Sequence, residues 1–341
     1  MINKYQTSLV ITTINKPNKV INKYLDLTKK NNVKYIIIGD KKTPNYKKKY
    51  PFFNLKKQKE FNFRSYGSLP YNSYSRKNLG YLVAMKNKSK IIVETDDDNY
   101  PKDNFFKNLK IKKILKELSG PKWINILEFF SKHNQLIWPR GFPLNLINNL
   151  KKVKVKKKVI FSPIQQRMCD GNPDVDAVYR LTNKFKNHFF KKDNIAISNK
   201  SICPFNSQNT VWHEIAFPLM YLPSYCTMRS TDIWRGFIAI RIIENYNWNL
   251  TFLKSTVLQK RNAHDLMDDF FQEIPVYKNT TELCNTLKNL ELSKKYEDIL
   301  INIYKCYDKL VDKKILSKKE LPLLKKWLID INKIYPNLNK N

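Results

Sequence analysis

The chain is short of paired cysteines and of long apolar runs, and both absences narrow its class. Its five cysteines contain no C-x-x-C pair and stand far apart, at Cys169, Cys203, Cys226, Cys284 and Cys306. This spacing excludes a zinc ribbon and a disulfide framework, and it favours reduced thiols. No apolar run approaches the roughly 18 residues of a membrane span, and the first residues lack the apolar core of a signal peptide. We therefore expect a cytoplasmic protein, either free or peripheral to the inner face of a membrane.

Acidic residues and glycine are also scarce. The 341 residues include 29 Asp and Glu against 63 Lys and Arg, which gives a formal net charge of +34, and only seven glycines. Codon drift in an AT-rich genome accounts for much of this bias. The remaining positive field attracts anionic partners such as nucleotides, sugar phosphates, acidic glycans, anionic membranes or nucleic acids. A disordered polycation is excluded, because 42% of positions are apolar and 13% are aromatic.

Hydrophobic periodicity predicts an α/β protein that opens with a parallel sheet. A buried strand at 8–14, a helix at 19–31 and a second strand at 33–39 form a βαβ unit. A helix at 72–87 then leads into a strand at 90–95, which breaks off in three consecutive aspartates. Further α/β structure of this kind is expected up to residue 278.

The remaining segments carry weaker patterns. Residues 43–70 are rich in proline, lysine and aromatics and are predicted as a loop, and strands are predicted at 123–129 and 157–161. The lysine-rich segment 150–159 alternates as an edge strand would, although a solvated face explains it more simply. After residue 278 apolar residues follow helical spacing. We therefore predict an α/β domain over 1–278 and a helical C-terminal region over 279–341.

The strongest chemical feature is Asp96-Asp97-Asp98 at the end of a predicted parallel strand. Adjacent carboxylates repel one another, and a divalent cation relieves that repulsion. In an extended chain Asp96 and Asp98 would face one cavity while Asp97 points away. Carboxylate oxygens suit Mg²⁺ or Mn²⁺, and ligands of α/β sheets gather at the carboxyl ends of strands. A plain acidic turn is the alternative.

The helix that feeds this strand carries polar residues near its start. Arg76 and Lys77 are candidates for neutralising a diphosphate, and Asn78 for contacting a base or ribose. Gly80 and Ala84 would allow close packing on the sheet. The segment contains neither G-x-G-x-x-G nor a Walker loop, so its value as a phosphate site depends on the acidic strand that follows.

The run from Arg76 to Asp98 resembles the R-x-N-x-G…A…D-D-D arrangement of GT-A glycosyltransferases, which bind nucleotide-diphospho-sugars through a metal. Other segments resemble the STELLO-type glycosyltransferases and, more distantly, the reversibly glycosylated polypeptides that act as UDP-arabinopyranose mutases. They are W-P-R-G-F-P at 138–143, D-G-N-P-D-V-D-A-V-Y-R-L-T at 170–182, P-F-N-S-Q-N-T at 204–210, T-D-I-W-R-G at 231–236 and R-N-A-H-D-L at 261–266. The membrane anchor of the plant STELLO proteins has no counterpart, so Golgi residence is not expected.

The resemblance implies a GT-A fold and roles for particular residues. Asp96, Asp98 and His264 would hold Mn²⁺ or Mg²⁺, with Asp265 orienting the histidine. The nucleotide-sugar would contact the donor-binding residues Arg76, Asn78, Asp96 and Asp97. Taken alone, His264 would more readily be structural.

Asp232 is the candidate general base, because it resembles the acidic residue that GT-A enzymes place at the head of a helix facing the acceptor. Burial beside Trp234 would raise its pKa towards usefulness. The alternative is a helix N-cap. Trp234 would stack on a sugar or belong to the core.

The aspartate-rich turn around residue 172 offers substrate contacts. Asp174, Asp176 and Arg180 are candidates, and Arg140 would contact a phosphate. A structural turn explains these aspartates equally well, whereas a calcium loop is disfavoured because the closing glutamate is missing.

Together these features predict a metal-dependent glycosyltransferase. It would move a sugar from a nucleotide-diphosphate donor to a hydroxyl of a glycan or lipid-linked acceptor, in surface glycan synthesis. A nucleotide-sugar mutase, a basic nucleic-acid-binding protein or metal-dependent nuclease, and a non-catalytic scaffold on anionic membrane remain alternatives. Nucleic acid is the less favoured partner, because it leaves the ordered sugar-transferase segments unexplained.

Overall fold

A computed structural model describes residues 6–131, 136–148, 152–183, 188–191, 193–261, 265–336 and 338. The strands in these ranges are β1 (Thr7–Thr12), β2 (Lys34–Ile38), β3 (Phe52–Phe53), β4 (Ile91–Thr95), β5 (Asn99–Pro101), β6 (Lys112–Ser119), β7 (Lys154–Phe161), β8 (Ile164–Gly171), β9 (Asn194–Ile197), β10 (Asn209–His213) and β11 (Leu250–Gln259). The helices are α1 (Lys19–Lys30), α2 (Leu55–Glu60), α3 (Lys77–Lys86), α4 (Ile126–Phe130), α5 (Ala177–Thr182), α6 (Thr231–Asn245), α7 (Leu266–Lys288), α8 (Ile299–Asp312) and α9 (Glu320–Ile334). None of these helices is long and apolar enough to cross a membrane.

The strands form one mixed sheet in the order β3-β2-β1-β4-β10-β8-β11-β9-β6-β7, with β5 paired to β11. β3, β2, β1 and β4 are parallel, and β8 is parallel to β11. Antiparallel β10 lies between β4 and β8. The strands β1, β2, β4, β8 and β11 therefore all end at the same edge of the sheet. The α/β class is confirmed, and the sheet is consistent with a GT-A-like fold.

The predicted βαβ unit is confirmed. β1 and β2 pair in parallel and are almost entirely buried, as their continuous apolar runs require. Helix α1 begins where the side chain of Asn18 accepts a hydrogen bond from the backbone N–H of Ile21 at 2.8 Å.

Two segments differ from their predictions, and a third confirms the less favoured of its two interpretations. The predicted loop at 43–70 contains β3, which extends the parallel sheet, and α2. The predicted strand at 123–129 is instead helix α4, whose buried Ile126, Leu127 and Phe130 have i, i+1, i+4 spacing; such a short apolar run does not distinguish helix from strand. In the segment 150–159, residues 154–159 belong to β7, the outermost strand of the sheet. The edge-strand interpretation is therefore correct for these residues.

Gly80 allows α3 to lie directly on the sheet, as predicted. A Cβ at this position would come within 2.5 Å of Val10 Cγ1 and 2.9 Å of Ile38 Cγ1. We expect Gly80→Ala to lower the free energy of unfolding by about 1–2 kcal/mol, because overpacking outweighs the gain in helix propensity. Chemical denaturation would measure this. Gly67→Ala is the control, since nothing lies within 4 Å of its Cβ position, and an equal loss in both variants would contradict the explanation.

The C-terminal helices pack onto the α/β core. Helix α7 runs through residue 278, where a domain boundary was predicted. Trp327 of α9 and Tyr307 of α8 are buried against Tyr221, at ring-centroid distances of 5.7 and 5.5 Å. These contacts belong to the same hydrophobic cluster that covers one face of the sheet.

Two buried carboxylates of the α9 segment bind loops of the α/β core. Glu320 accepts hydrogen bonds from the backbone N–H groups of Ser224, at 3.0 Å, and Tyr225, at 2.8 Å. Asp330 accepts bonds from the N–H groups of Arg64 and Ser65 at 2.8 and 2.9 Å. The first loop leads into α6 and the second towards α3, so the C-terminal helices help to position the starts of both.

Candidate active site

A cavity of about 400 Å³ opens at the edge where the parallel strands end. The segment after β1 contributes residues up to Asn15, the segment after β2 contributes Asp40, and the segment after β4 contributes the three aspartates. β11 ends in Gln259, and Arg261 follows it. The turn after β8 adds Asp174, and α5 adds Arg180. The site therefore lies at the position that α/β sheets use for ligands.

The first wall of the cavity is the acidic turn, Asp96–Asp98. Asp96 Oδ1 accepts hydrogen bonds from Tyr74 Oη at 2.7 Å and from Lys77 Nζ at 2.9 Å. Asp97 Oδ2 accepts bonds from Thr13 Oγ1 and from Asn15 Nδ2, the latter at 3.0 Å. Lys77 is fully buried, so its charge is committed to Asp96.

Asp97 does not point away as predicted. The chain turns immediately after Thr95, and the N–H of Asn99 donates to Asp96 O at 3.3 Å, so the alternation of an extended strand ends there. All three aspartates consequently line the cavity.

Asp98 is the least satisfied member of the turn. Its Oδ2 accepts a bond from Gln259 Nε2 at 3.0 Å, while its buried Oδ1 has no hydrogen-bond partner among the described residues. Burial, followed by the charge of Asp96, raises the pKa of Asp98 to about 7. Burial also raises the pKa of Asp97. Neighbouring buried carboxylates repel one another when both are ionised, and a bound cation would stabilise their ionised forms.

The acidic turn fits a divalent metal. Asp96 and Asp98 supply hard oxygen donors, one of them an unpartnered buried oxygen, and Mg²⁺ commonly takes one or two carboxylates together with substrate phosphates. The predicted ligand His264 lies outside the described residues. Within the described ranges, no group of three or more His, Cys, Asp or Glu side chains is arranged to hold an ion.

Another part of the cavity wall is an arginine cluster, defined by Arg140, Arg180, Arg229 and Arg261. Arg140 makes the densest contacts. Its Nε and Nη2 donate to Asp174 at 3.0 and 2.7 Å, and its Nη1 donates to Asp232 Oδ1 at 3.0 Å. The guanidinium of Arg140, the predicted phosphate contact, is thus already held in place by two carboxylates.

Two of the other arginines, Arg229 and Arg261, are held by α7. Arg229 Nη2 lies 2.6 Å from Glu273 Oε1, and Arg261 bonds to Asp269. Arg180 Nη2 donates to Pro173 O at 2.7 Å, and burial lowers its pKa to about 9. The carboxylates Asp174, Asp232, Asp269 and Glu273 make it possible to place four guanidinium groups around one cavity.

Asp232 is not the N-cap of α6, which was the alternative to its predicted role as general base. It lies in the first turn of α6 rather than at the N-cap, which is Ser230. Its Oδ2 accepts bonds from the N–H and the Oγ of Ser207, both at 3.1 Å. The adjacent Arg140 holds the pKa of Asp232 below its usual value, despite burial, so the predicted rise is wrong. The general-base role remains a prediction, and the lowered pKa argues against it.

Two predicted contacts are structural instead. Asn78 does not line the cavity, because its amide bonds both backbone groups of Leu222 at 2.8 and 2.9 Å. Trp234 is 1% exposed and packs near Phe237, so it is a core residue and not a sugar platform. Arg76 does reach the cavity wall, but Nη2 donates to Gln58 Oε1 at 2.7 Å and Nε lies 3.9 Å from Asp40.

Asp176 is likewise structural, whereas Asp174 faces the cavity. Asp176 is the N-cap of α5: it accepts a bond from Tyr179 N–H at 2.7 Å and another from Trp138 Nε1 at 2.6 Å. Its side chain is fully buried and does not line the cavity.

Burial raises the pKa of Asp176 to about 7. The folded protein therefore keeps a proton that the unfolded chain releases near pH 4, and this residue's contribution to stability falls as pH rises from about 4 to 7. Asp176→Asn should show a flatter stability–pH profile over that window, although it loses the Trp138 bond. Denaturation curves of both proteins across pH would test this, and parallel profiles would contradict it.

Several cavity residues were missed from the sequence. Tyr74 and Gln259 contact the aspartates of the acidic turn, while Arg229 and Arg261 form part of the arginine cluster. Arg261 stands in a segment that carries the family resemblance, but Tyr74 and Arg229 have no sequence signal beyond their position near helix starts.

Comparison with known proteins identifies the relatives of this chain. A sequence model of the STELLO glycosyltransferases matches residues 229–340. Two Arabidopsis thaliana proteins, named probable glycosyltransferase STELLO2 and STELLO1, are 28% and 29% identical over 214 residues. The chain is related to the STELLO glycosyltransferases. Each match covers 56% of this chain but only 28% and 27% of the plant proteins, so the chain spans under a third of their length.

The STELLO match includes four of the residues that line the cavity. It begins at Arg229 and takes in Asp232, Gln259 and Arg261, and it continues through α7, α8 and α9. The acidic turn lies before the matched range. A solved structure described as a mycobacterial protein superposes with a TM-score of 0.43 at 9% identity, covering 83% of this chain and 76% of that one, which is too low to support any argument.

Proposed function

We propose that the chain is a metal-dependent glycosyltransferase that uses a nucleotide-diphospho-sugar donor. The observation that carries the proposal is the buried, unpartnered oxygen of Asp98 beside Asp96, in a cavity that an arginine cluster also lines. A diphosphate with its metal needs both groups, carboxylates for the cation and guanidinium groups for the phosphate oxygens. The STELLO relationship supports the transferase class.

Asp96 and Asp98 would hold Mn²⁺ or Mg²⁺. When bound, the metal would neutralise negative charge on the departing diphosphate. The chain's own residues orient the carboxylates: Lys77 and Tyr74 hold Asp96, and Gln259 holds Asp98. Hydrogen bonds from Thr13 and Asn15 fix the orientation of the Asp97 side chain next to the end of β1.

The arginine cluster would bind the anionic part of the donor without reorganising. Arg140 is fixed by Asp174 and Asp232, and Arg229 by Glu273, so their guanidinium groups already occupy their positions before a ligand enters. Preorganised charges of this kind stabilise charge that develops in the transition state. The acceptor would be a hydroxyl of a glycan or of a lipid-linked saccharide.

A thermal-shift screen of nucleotide-sugars with and without Mn²⁺ would test the proposal. A donor that binds the folded state raises the Tm, and the rise should require the metal. Nucleoside monophosphates are the control, because they lack the diphosphate. A shift that is absent for every donor, or identical without metal, would contradict the proposal.

Product analysis would separate the alternatives. A mutase converts the donor to an isomer with no acceptor present, whereas a transferase consumes it only with an acceptor or by slow hydrolysis. A nucleic-acid binder would instead bind DNA or RNA with a steep dependence on salt.

A further inference from the structure

The outermost part of the sheet is a strongly basic pair of antiparallel strands, β6 and β7, which residues 120–153 separate in sequence. This pair of strands is called the basic hairpin below. Its strands contain seven lysines and one glutamate. All six residues from Lys154 to Val159 are exposed, although they lie within a strand. Because little of this strand is buried, packing against the rest of the protein does not determine which side chains it carries.

Much of this charge has no compensating acid. Glu117 is buried and pairs with Lys158 at 2.5 Å, and Lys116 lies 3.9 Å from Asp193. Lys154, Lys156 and Lys157 make no ion pair with any described residue. Lys116 and Lys157 stand directly opposite each other in the register, where like charges are destabilising. An anionic partner would relieve this repulsion.

One face of the basic hairpin is also apolar. Ile114, Val155 and Val159 are 64%, 56% and 72% exposed. Ile114 is paired with Val159, and Val155 lies on the same face because alternate residues of a strand share a side. Lys116 and Lys157 belong to this face as well. The basic hairpin therefore presents apolar side chains between lysines.

These features favour a bilayer over other partners. A second copy pairing edge to edge along β7 would place its lysines against each other. A nucleic acid would engage the lysines but offers nothing for the exposed isoleucine and valines. An anionic bilayer takes both groups, since lysines bind its headgroups and apolar side chains enter the boundary below them.

We propose that the basic hairpin docks this protein on an anionic membrane surface. The lysines contact the lipid phosphates, and Ile114, Val155 and Val159 insert at the level of the headgroups. The inference depends on the hairpin alone and not on the proposed enzymatic activity. It predicts membrane binding that requires anionic lipid and weakens with salt.

Co-sedimentation of the full chain with phosphatidylcholine vesicles, with and without phosphatidylglycerol, would test this surface. The triple variant K112Q/K116Q/K157Q removes the three exposed lysines that share the face of Ile114, Val155 and Val159, and it should reduce partitioning onto anionic vesicles on the order of a hundredfold. The triple variant I114T/V155T/V159T keeps β-branched side chains and should reduce it by a smaller factor. The control K313Q/K318Q/K319Q removes three exposed lysines of the C-terminal region and should bind as the unmodified chain does.

The outcomes separate clearly. Loss of anionic-vesicle binding in both hairpin variants, with retained melting temperatures and an unaffected control, supports the proposal. Equal binding to neutral vesicles, no binding to any vesicle, an unchanged lysine or threonine variant, or an equal loss in the control would overturn it. Tighter, hairpin-dependent binding to duplex DNA or RNA than to anionic vesicles would also overturn it.

Discussion

Replacing Glu94 with alanine is expected to lower the free energy of unfolding by about 3–5 kcal/mol, because it leaves a buried guanidinium without its partner. Glu94 and Arg235 are 0% and 1% exposed. Arg235 Nη2 and Nη1 donate to Glu94 Oε1 and Oε2 at 2.8 and 3.0 Å, and Trp212 Nε1 donates to Oε1 at 2.7 Å. This network joins β4, β10 and α6, the elements behind the cavity.

Equilibrium denaturation in urea would measure the loss. The matched control is Lys90→Ala, which breaks the exposed Lys90–Glu214 pair and should cost less than about 1 kcal/mol. Similar losses of unfolding free energy in the two variants would contradict the larger contribution to stability that the burial of the Glu94–Arg235 pair indicates.

Replacing Asp98 with alanine is expected to abolish metal-dependent donor binding and turnover. The reason is that Asp98 supplies the buried carboxylate oxygen that lacks a hydrogen-bond partner among the described residues. Loss of one ligand carboxylate from a site with few protein ligands removes most of its affinity for a divalent ion. Isothermal titration with Mn²⁺ and a nucleotide-sugar would measure the effect.

The stability of the same variant distinguishes a ligand from a structural residue. Removing an unpaired buried charge should leave the Tm of the metal-free protein unchanged or raised. Asp103→Ala is the control, since that side chain is 91% exposed near Lys23. An Asp98→Ala protein with unchanged metal-dependent turnover would refute the metal site.

The elements that formed the strongest local patterns were predictable. Strands β1, β2 and β4 are continuous apolar runs, and α1 has its own cap and amphipathic face, so each is specified by neighbouring residues. The secondary structure of segment 123–129 was predicted wrongly, because its five apolar residues are too few to distinguish helical spacing from strand spacing. The resemblance to the STELLO-type family was readable because the order of several short segments constrains it more than any one of them.

The sequence also determined which residues were candidates, but not which of them reach the cavity. Asp174 and Asp176 belong to one turn, yet only Asp174 faces the arginine cluster, because Asp176 caps α5. Asn78 and Trp234 stand in conspicuous motifs and serve the packing of Leu222 and the core. Such outcomes depend on helix phase and on partners more than a hundred residues away.

By itself, the sequence determined an α/β protein, the acidic turn at the end of a parallel strand, the family resemblance and the excess of positive charge. Only the tertiary structure decided how those charges are used. Antiparallel β10 brings the ends of β4, β8 and β11 to one edge, which places Asp98 and four arginines around one cavity. Many remaining lysines stay on the surface, and the seven of the basic hairpin lie on the outermost strands, because burying an unpaired charge is costly.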